Sequence, residues 1–316
     1  MHSVTVSGDV SSVSYSDDGT VVWAAAPHRG DPLRTIVQWD PSAGTVRTLL
    51  QTRPGTQVDL PQRSHGWLVW VEATGDGSSD TSGISWEVRA LPYGSTQTIS
   101  LARSAKPGSV FDVPLPSFDF PWVAWTETLP RVPGQLPGTR LMAVDLRTRT
   151  LRELSRIGNP ATVITRAAVI IYDANSAGGG RDVFEYHLDT GSVEQLTRSG
   201  KVSYPAASDH LVGWQEPATG QPQSLWACTP RCTMAGAAPV RIADLTEGNL
   251  AVGDSVVVYG ANDHLYIVHD PLGTPQTVEG PKPYVEARWS LRGDEVALAE
   301  DPGGSSDRLE VVIDQL

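Results

Sequence analysis

One pattern of apolar and polar positions recurs seven times along the chain. A short, mostly apolar run closes on a large ring as TVVW at Trp23, WLVW at Trp70, WVAW at Trp125, VIIY at Tyr172, LVGW at Trp214 and VVVY at Tyr259; EVALAE places Leu298 at the seventh equivalent position. The steps between these anchors are 47, 55, 47, 42, 45 and 39 residues, the spacing of a propeller blade. After each anchor comes a variable loop and a second strand-like run, at 36–40, 88–92, 141–145, 183–187, 225–229, 265–269 and 309–313. Turn residues follow, as in DPSAG, LPYGS and HLDTGS; Asp, Ser, Pro and Gly supply the dihedrals and side-chain hydrogen bonds that tight turns need. A short outer run such as TVRTLL or TLRELS completes the unit, and a weaker run precedes each anchor. No segment shows helical periodicity.

Four short strands per unit predict an all-β, seven-bladed β-propeller of four-stranded antiparallel blades, one domain spanning 1–316. The blades fall near 11–52, 58–102, 111–156, 159–199, 202–245, 246–280 and 283–316. The seventh unit ends after three strands, while residues 3–8 form a strand with no blade of its own. Placing that N-terminal strand on the outside of the last blade closes the ring and removes its open edge.

With 40% hydrophobic and 19% charged residues the chain can bury a large core, unlike a disordered segment. Its 30 Gly and 24 Pro are spread along the length, as many turns require. A net charge of −12 repels phosphate backbones and argues against a nucleic-acid partner. No apolar stretch is long enough to span a bilayer. The opening MHSVTVSGDV has neither the basic nor the apolar region of a signal peptide. Cys228 and Cys232, flanking Pro230 in a turn, are a disulfide candidate, which would place the chain in an oxidising, extracytoplasmic compartment; a cytoplasmic location is the alternative.

Ser14–Gly19 (SYSDDG) and Arg288–Gly293 (RWSLRG) resemble the "WSPDG" segment of TolB-like, WD40-like propeller repeats, and Val183–Thr197 (VFEYHLDTGSVEQLT) resembles their strand–turn–strand segment. The resemblance runs over nearly the whole chain and is weakest in blades two, three and five. TolB itself is similar to six-bladed propellers, against seven units here, and the GH…WD signature of true WD40 repeats is missing. What the resemblance implies is architecture and binding of a protein or peptide partner; it transfers no catalytic residue.

Propeller topology puts the long insertions at 26–35, 74–83, 129–138, 174–181, 217–223 and 301–307 on one face, and this loop-rich face is the expected partner face. Two residues past the anchor stand Glu72, Glu127, Glu216 and Glu300, with Asp173 one residue past it in blade four. Equivalent positions in a ring predict a partial acidic mouth to the axial tunnel, able to take a cation, a basic peptide or a polyhydroxylated ligand. Otherwise these carboxylates pair with the arginines of the same loops, Arg29, Arg131, Arg140 and Arg181. No GxSxG, HExxH or phosphate-loop motif occurs, and no set of residues has the spacing of a metal site. The function expected is a protein-interaction scaffold, or a sensor or recruitment domain, without a cofactor. The alternative is a hydrolase or a small-ligand or carbohydrate binder that uses the acidic mouth.

Overall fold

The computed structural model describes residues 2–75, 83–108, 112–130, 137–166, 168–218, 221–228, 238–245, 250–261, 264–269, 276–278, 289–292, 295–300 and 308–315. These residues form seven four-stranded antiparallel sheets arranged as a propeller, and no α-helix occurs among them. Counting strands from the axis outward, blade 1 is Asp9–Tyr15, Val21–Ala26, Thr35–Asp40 and Thr45–Gln51. Blade 2 is Thr56–Ser64, Trp67–Thr74, Ser85–Pro92 and Ile99–Arg103; blade 3 is Ser117–Asp119, Trp122–Thr128, Thr139–Asp145 and Thr150–Ser155. Blade 4 is Val163–Arg166, Val169–Asn175, Arg181–His187 and Val193–Gln195; blade 5 is Ser203–Ala207, Val212–Ala218, Gln221–Cys228 and Val240–Leu245. Blade 6 is Leu250–Val252, Val256–Ala261, His264–His269 and Gln276–Val278. Blade 7 takes Trp289–Arg292, Glu295–Glu300 and Arg308–Gln315 from the end of the chain and His2–Ser7 from its start.

The closing strand pairs in register with the last one, Val4 opposite Val311 and Val6 opposite Leu309. Blade 1 then packs back on blade 7, so the ring has no free blade face at that seam. Gly8 joins the closing strand to blade 1 at φ +92°, where a Cβ would overlap the Ala26 carbonyl oxygen; only glycine fits that crossing.

The core lies in the wedges between blades. Along each second strand, side chains alternate between the two faces of the sheet, and both faces are covered. Trp23 packs in the wedge with blade 7, while its neighbour Ala24 packs in the wedge with blade 2. Trp70, Trp125, Tyr172, Trp214 and Tyr259 each enter the wedge with the preceding blade. All six rings are buried. This two-sided burial is why the anchor runs read as nearly continuous apolar stretches. Trp86 and Trp122 are buried as well, and Trp67 and Trp226 are half-buried.

Candidate functional site

The geometry of the second strand decides where the expected carboxylates go. Residues two apart point to the same face, so Glu72 shares the wedge of Trp70, and Glu216 that of Trp214. Trp70 Nε1 donates to Glu72 Oε1 at 3.1 Å, and Trp214 Nε1 to Glu216 Oε1 at 3.2 Å. Arg89 Nε stands 2.9 Å from Glu72 Oε2 but off the line of a hydrogen bond, its N–H having no aligned acceptor, so this contact is a charge pair. Glu127 lies directly opposite Arg140 in the next strand and accepts from it at 3.0 Å. Arg140 also reaches Glu153, at 3.2 Å. With Glu127 engaged this way, the buried Trp125 Nε1 has no hydrogen-bond partner among the described residues. Asp173, whose side chain is 4% exposed, accepts from Arg181 Nε at 2.6 Å and from the Thr162 backbone N–H at 2.7 Å.

Each of these carboxylates is therefore held within its own blade, by a ring N–H or an arginine one strand further out. Arg29 is exposed in the loop 27–34. Arg131 and the side chain of Glu300 lie outside the described residues, as do 76–82, 131–136, 219–220 and 301–307 of the loop-rich face. Cys228 is buried and disulfide-bonded; the sequence holds one other cysteine, Cys232, which lies outside the described residues.

The structure does bring charged side chains together, on the opposite face. At the axis, the turns between first and second strands surround a cavity of about 220 Å³. Its wall includes Asp17 of blade 1, Arg63 of blade 2, Asp119 of blade 3, Arg166 of blade 4, Asp209 of blade 5 and Asp254 of blade 6. Six successive blades thus contribute one charged side chain each, with the two guanidiniums interleaved among four carboxylates. Asp17 accepts from the His65 backbone N–H at 2.8 Å and pairs with His65 Nδ1 at 2.7 Å. Arg63 pairs with Asp18 at 2.8 Å. Arg166 donates to the carbonyl of Ala207 in the next blade at 2.7 Å. Asp209 and Asp254 are exposed. Among the described residues, no three His, Cys, Asp or Glu side chains are grouped as metal ligands would be.

Side-chain hydrogen bonds tie neighbouring blades together around this mouth. Tyr15 OH donates to Glu295 across the blade 1–7 seam at 2.9 Å, Gln62 donates to the Pro116 carbonyl at 2.5 Å, and Thr165 Oγ1 donates to the Ser117 carbonyl at 3.0 Å. The cavity is consequently preformed, and a ligand would not need to order its wall. The sequence carried a signal for this ring that the anchor-based reading passed over. An ionisable residue stands five to seven positions before each of the first six anchors. Its type changes from blade to blade, which hides it from a search for repeated residues.

No protein-family model and no curated protein sequence matches the chain. Solved structures do. The chain is similar to an oligogalacturonate lyase in complex with manganese, with a TM-score of 0.65 at 12% identity over 99% of this chain and 91% of that one. It is similar to a chain of the mitotic checkpoint complex, with a TM-score of 0.58 at 12% identity over 98% and 94%. A match to TolB from Acinetobacter baumannii has a TM-score of 0.48 at 11% identity over 89% of this chain and 59% of that one. At their identities the lyase and checkpoint-complex likenesses are ones of fold, and the fold is the seven-bladed propeller that the strand pairing shows.

Proposed function

We propose that this propeller is a recognition module that takes a charged segment of a partner protein into the axial mouth of its tight-turn face. The observation that carries the reading is the convergence of one charged side chain from each of six successive blades on a single cavity. Carboxylates alone would repel one another and favour a cation. Guanidiniums placed between them suit a ligand that presents both signs of charge, such as adjacent basic and acidic side chains of a peptide. A cavity of about 220 Å³ is smaller than the roughly 300–1,000 Å³ of sites that enclose a drug-sized molecule, and suits side chains inserted from a larger partner. The disulfide at Cys228 supports an extracytoplasmic location, where such bonds persist.

Isothermal titration with short peptides tests the reading. A hexapeptide of alternating Lys and Glu should bind more tightly than hexalysine or hexaglutamate. The pair Asp209→Asn and Asp254→Asn should weaken that binding by about tenfold or more, as loss of charge-assisted hydrogen bonds does. Equal binding of the single-sign peptides, or no effect of the pair, would sink it. So would shortening of oligogalacturonate by the protein in the presence of manganese, which would move the function to the enzyme class.

A further inference from the structure

A second cavity, of about 230 Å³, opens on the tight-turn face between blades 1 and 2. Its floor is apolar and includes Leu49, Trp67, Leu68 and Leu91. Tyr93 stands at its edge, 64% exposed. The turn that presents this ring is pinned, since the Tyr93 backbone N–H donates to the Gly66 carbonyl at 2.6 Å. Two guanidinium carbons lie over the ring, Arg47 at 5.4 Å and Arg63 at 5.1 Å from its centroid.

The two arginines differ in what neutralises them. Arg63 is paired with Asp18. Arg47 is exposed, and its acceptors are neutral: Gln38 Oε1 at 3.0 and 2.8 Å and the Tyr93 hydroxyl at 3.4 Å. No carboxylate forms an ion pair with Arg47 among the described residues, and its NH1 group has no partner there. Gln38 is itself buried, so it aims the guanidinium rigidly. The hydrogen bond and charge of Arg47 hold the Tyr93 phenol below its ordinary value. Asp40 lies near enough to feel the charge of Arg47 but does not bond it; in a chain of net charge −12, a cation fixed this way beside an exposed ring and an apolar floor is a local exception that calls for a ligand.

We infer that the blade 1–2 groove is a docking site for an acidic peptide segment of a partner protein, in which a carboxylate stands next to a large aliphatic side chain. The carboxylate pairs with Arg47 NH1, the aliphatic group covers Leu49, Trp67 and Leu91, and the fixed Tyr93 ring flanks the peptide at the groove's edge. Charge complementarity selects the acid, and the small apolar volume selects one bulky side chain rather than a free metabolite. The inference does not rest on the axial mouth.

Selection from a random heptapeptide library displayed on phage tests it, with the Arg47→Gln/Tyr93→Ala double variant used for counter-selection. Enriched peptides should carry Asp or Glu beside Leu, Ile or Met. A synthetic copy should bind the full chain in fluorescence anisotropy, about tenfold or more weakly once Arg47 is Gln or the peptide acid is its amide. Asp254→Asn should leave this binding unchanged even if it abolishes binding at the axis, which separates the two sites. Both groove substitutions are at the surface, and thermal melts would confirm that the variants fold. Absence of enriched peptides, enrichment without acids, or equal binding by the double variant overturns the inference. Retention on anionic phospholipid vesicles that the same substitutions abolish also overturns it, in favour of a membrane surface.

Discussion

Carboxylates stand at two levels of this propeller, and the contrast between them separates scaffold from site. Glu72, Glu127, Asp173 and Glu216 lie toward the ends of second strands, turned into the wedges or toward the next strand, and are held by Trp N–H groups or by Arg89, Arg140 and Arg181. Asp17, Asp119, Asp209 and Asp254 lie at or beside the turns one strand nearer the axis and line an open cavity. The residue type is nearly the same. What differs is the strand that carries it: a second-strand side chain faces a neighbouring sheet, whereas a first-turn side chain faces the axis. A carboxylate walled in by sheets needs a partner from the protein itself; at the mouth Asp17 is held by His65, while the exposed Asp254 faces a partner from outside.

The closing seam gives the largest effect and tests the scaffold that both levels share. Deleting 1–7 removes the whole ladder between His2–Ser7 and Arg308–Gln315 and uncovers Val311 and Ile313. At about 1 kcal/mol for each ladder hydrogen bond the loss is on the order of 5 kcal/mol, before the exposed edge invites aggregation. Denaturant unfolding followed by tryptophan fluorescence should show a far lower midpoint. An unchanged midpoint would mean the ring does not depend on its seam.

Asp173→Asn comes next. Its partner Arg181 would keep its charge beside a neutral amide in a buried site, and breaking such a pair costs about 3 kcal/mol. A drop in the thermal midpoint is expected, partly restored when Arg181→Met is added. If the single variant melts like the parent, the carboxylates of the second strands are not scaffold.

A finer division separates Glu72→Gln from Glu127→Gln. Glu72 serves both Trp70 and Arg89, and Arg89 keeps Glu87 at 2.6 Å as a second carboxylate; the cost of losing the Glu72 charge, about 1–2 kcal/mol, therefore lies in the weakened hydrogen bond from the buried Trp70 ring. Glu127 shares Arg140 with Glu153. Arg156 first, and then Arg140, hold the Glu153 carboxyl below its ordinary value, so Arg140 keeps a charged partner and the cost should stay under about 1 kcal/mol. Urea titrations of the two variants side by side check the order; a reversed order would show that the Trp70 hydrogen bond carries little weight.

How much of this was legible beforehand follows from the same geometry. Trp23, Trp70, Trp125 and Trp214 repeat because each must fill a wedge of similar shape, so packing imposes a period on the sequence. The seam was legible because three strands at 283–316 demand a fourth and residues 3–8 supply it. For Glu72, Glu127, Asp173, Glu216 and Glu300 the sequence left an acidic mouth and pairing with loop arginines both open, because equivalence of position along the chain says that residues lie at one height in the ring but not which way they face. The groove at Arg47 and Tyr93 had no sequence signature at all. It is assembled from the outer strand of one blade and a turn of the next; the outer-strand arginine recurs as Arg152 and Arg241, but Tyr93 has no counterpart in the turns of the other blades.

The smallest effect on stability is expected at Asp254, and there the contrast is sharpest. Asp254 is exposed in the turn between the first two strands of blade 6, so Asp254→Asn should change the free energy of unfolding by no more than about 0.5 kcal/mol, as surface changes away from networks do. The same substitution removes one of the four carboxylates of the mouth and should weaken the mixed-charge hexapeptide several-fold, with less salt dependence because fewer charges face the ligand. A stability-silent, binding-sensitive variant is what distinguishes a site from a support. If Asp254→Asn instead destabilises the fold as Asp173→Asn does, the mouth carboxylates belong to the structural set, and the assignment of function by strand position fails with them.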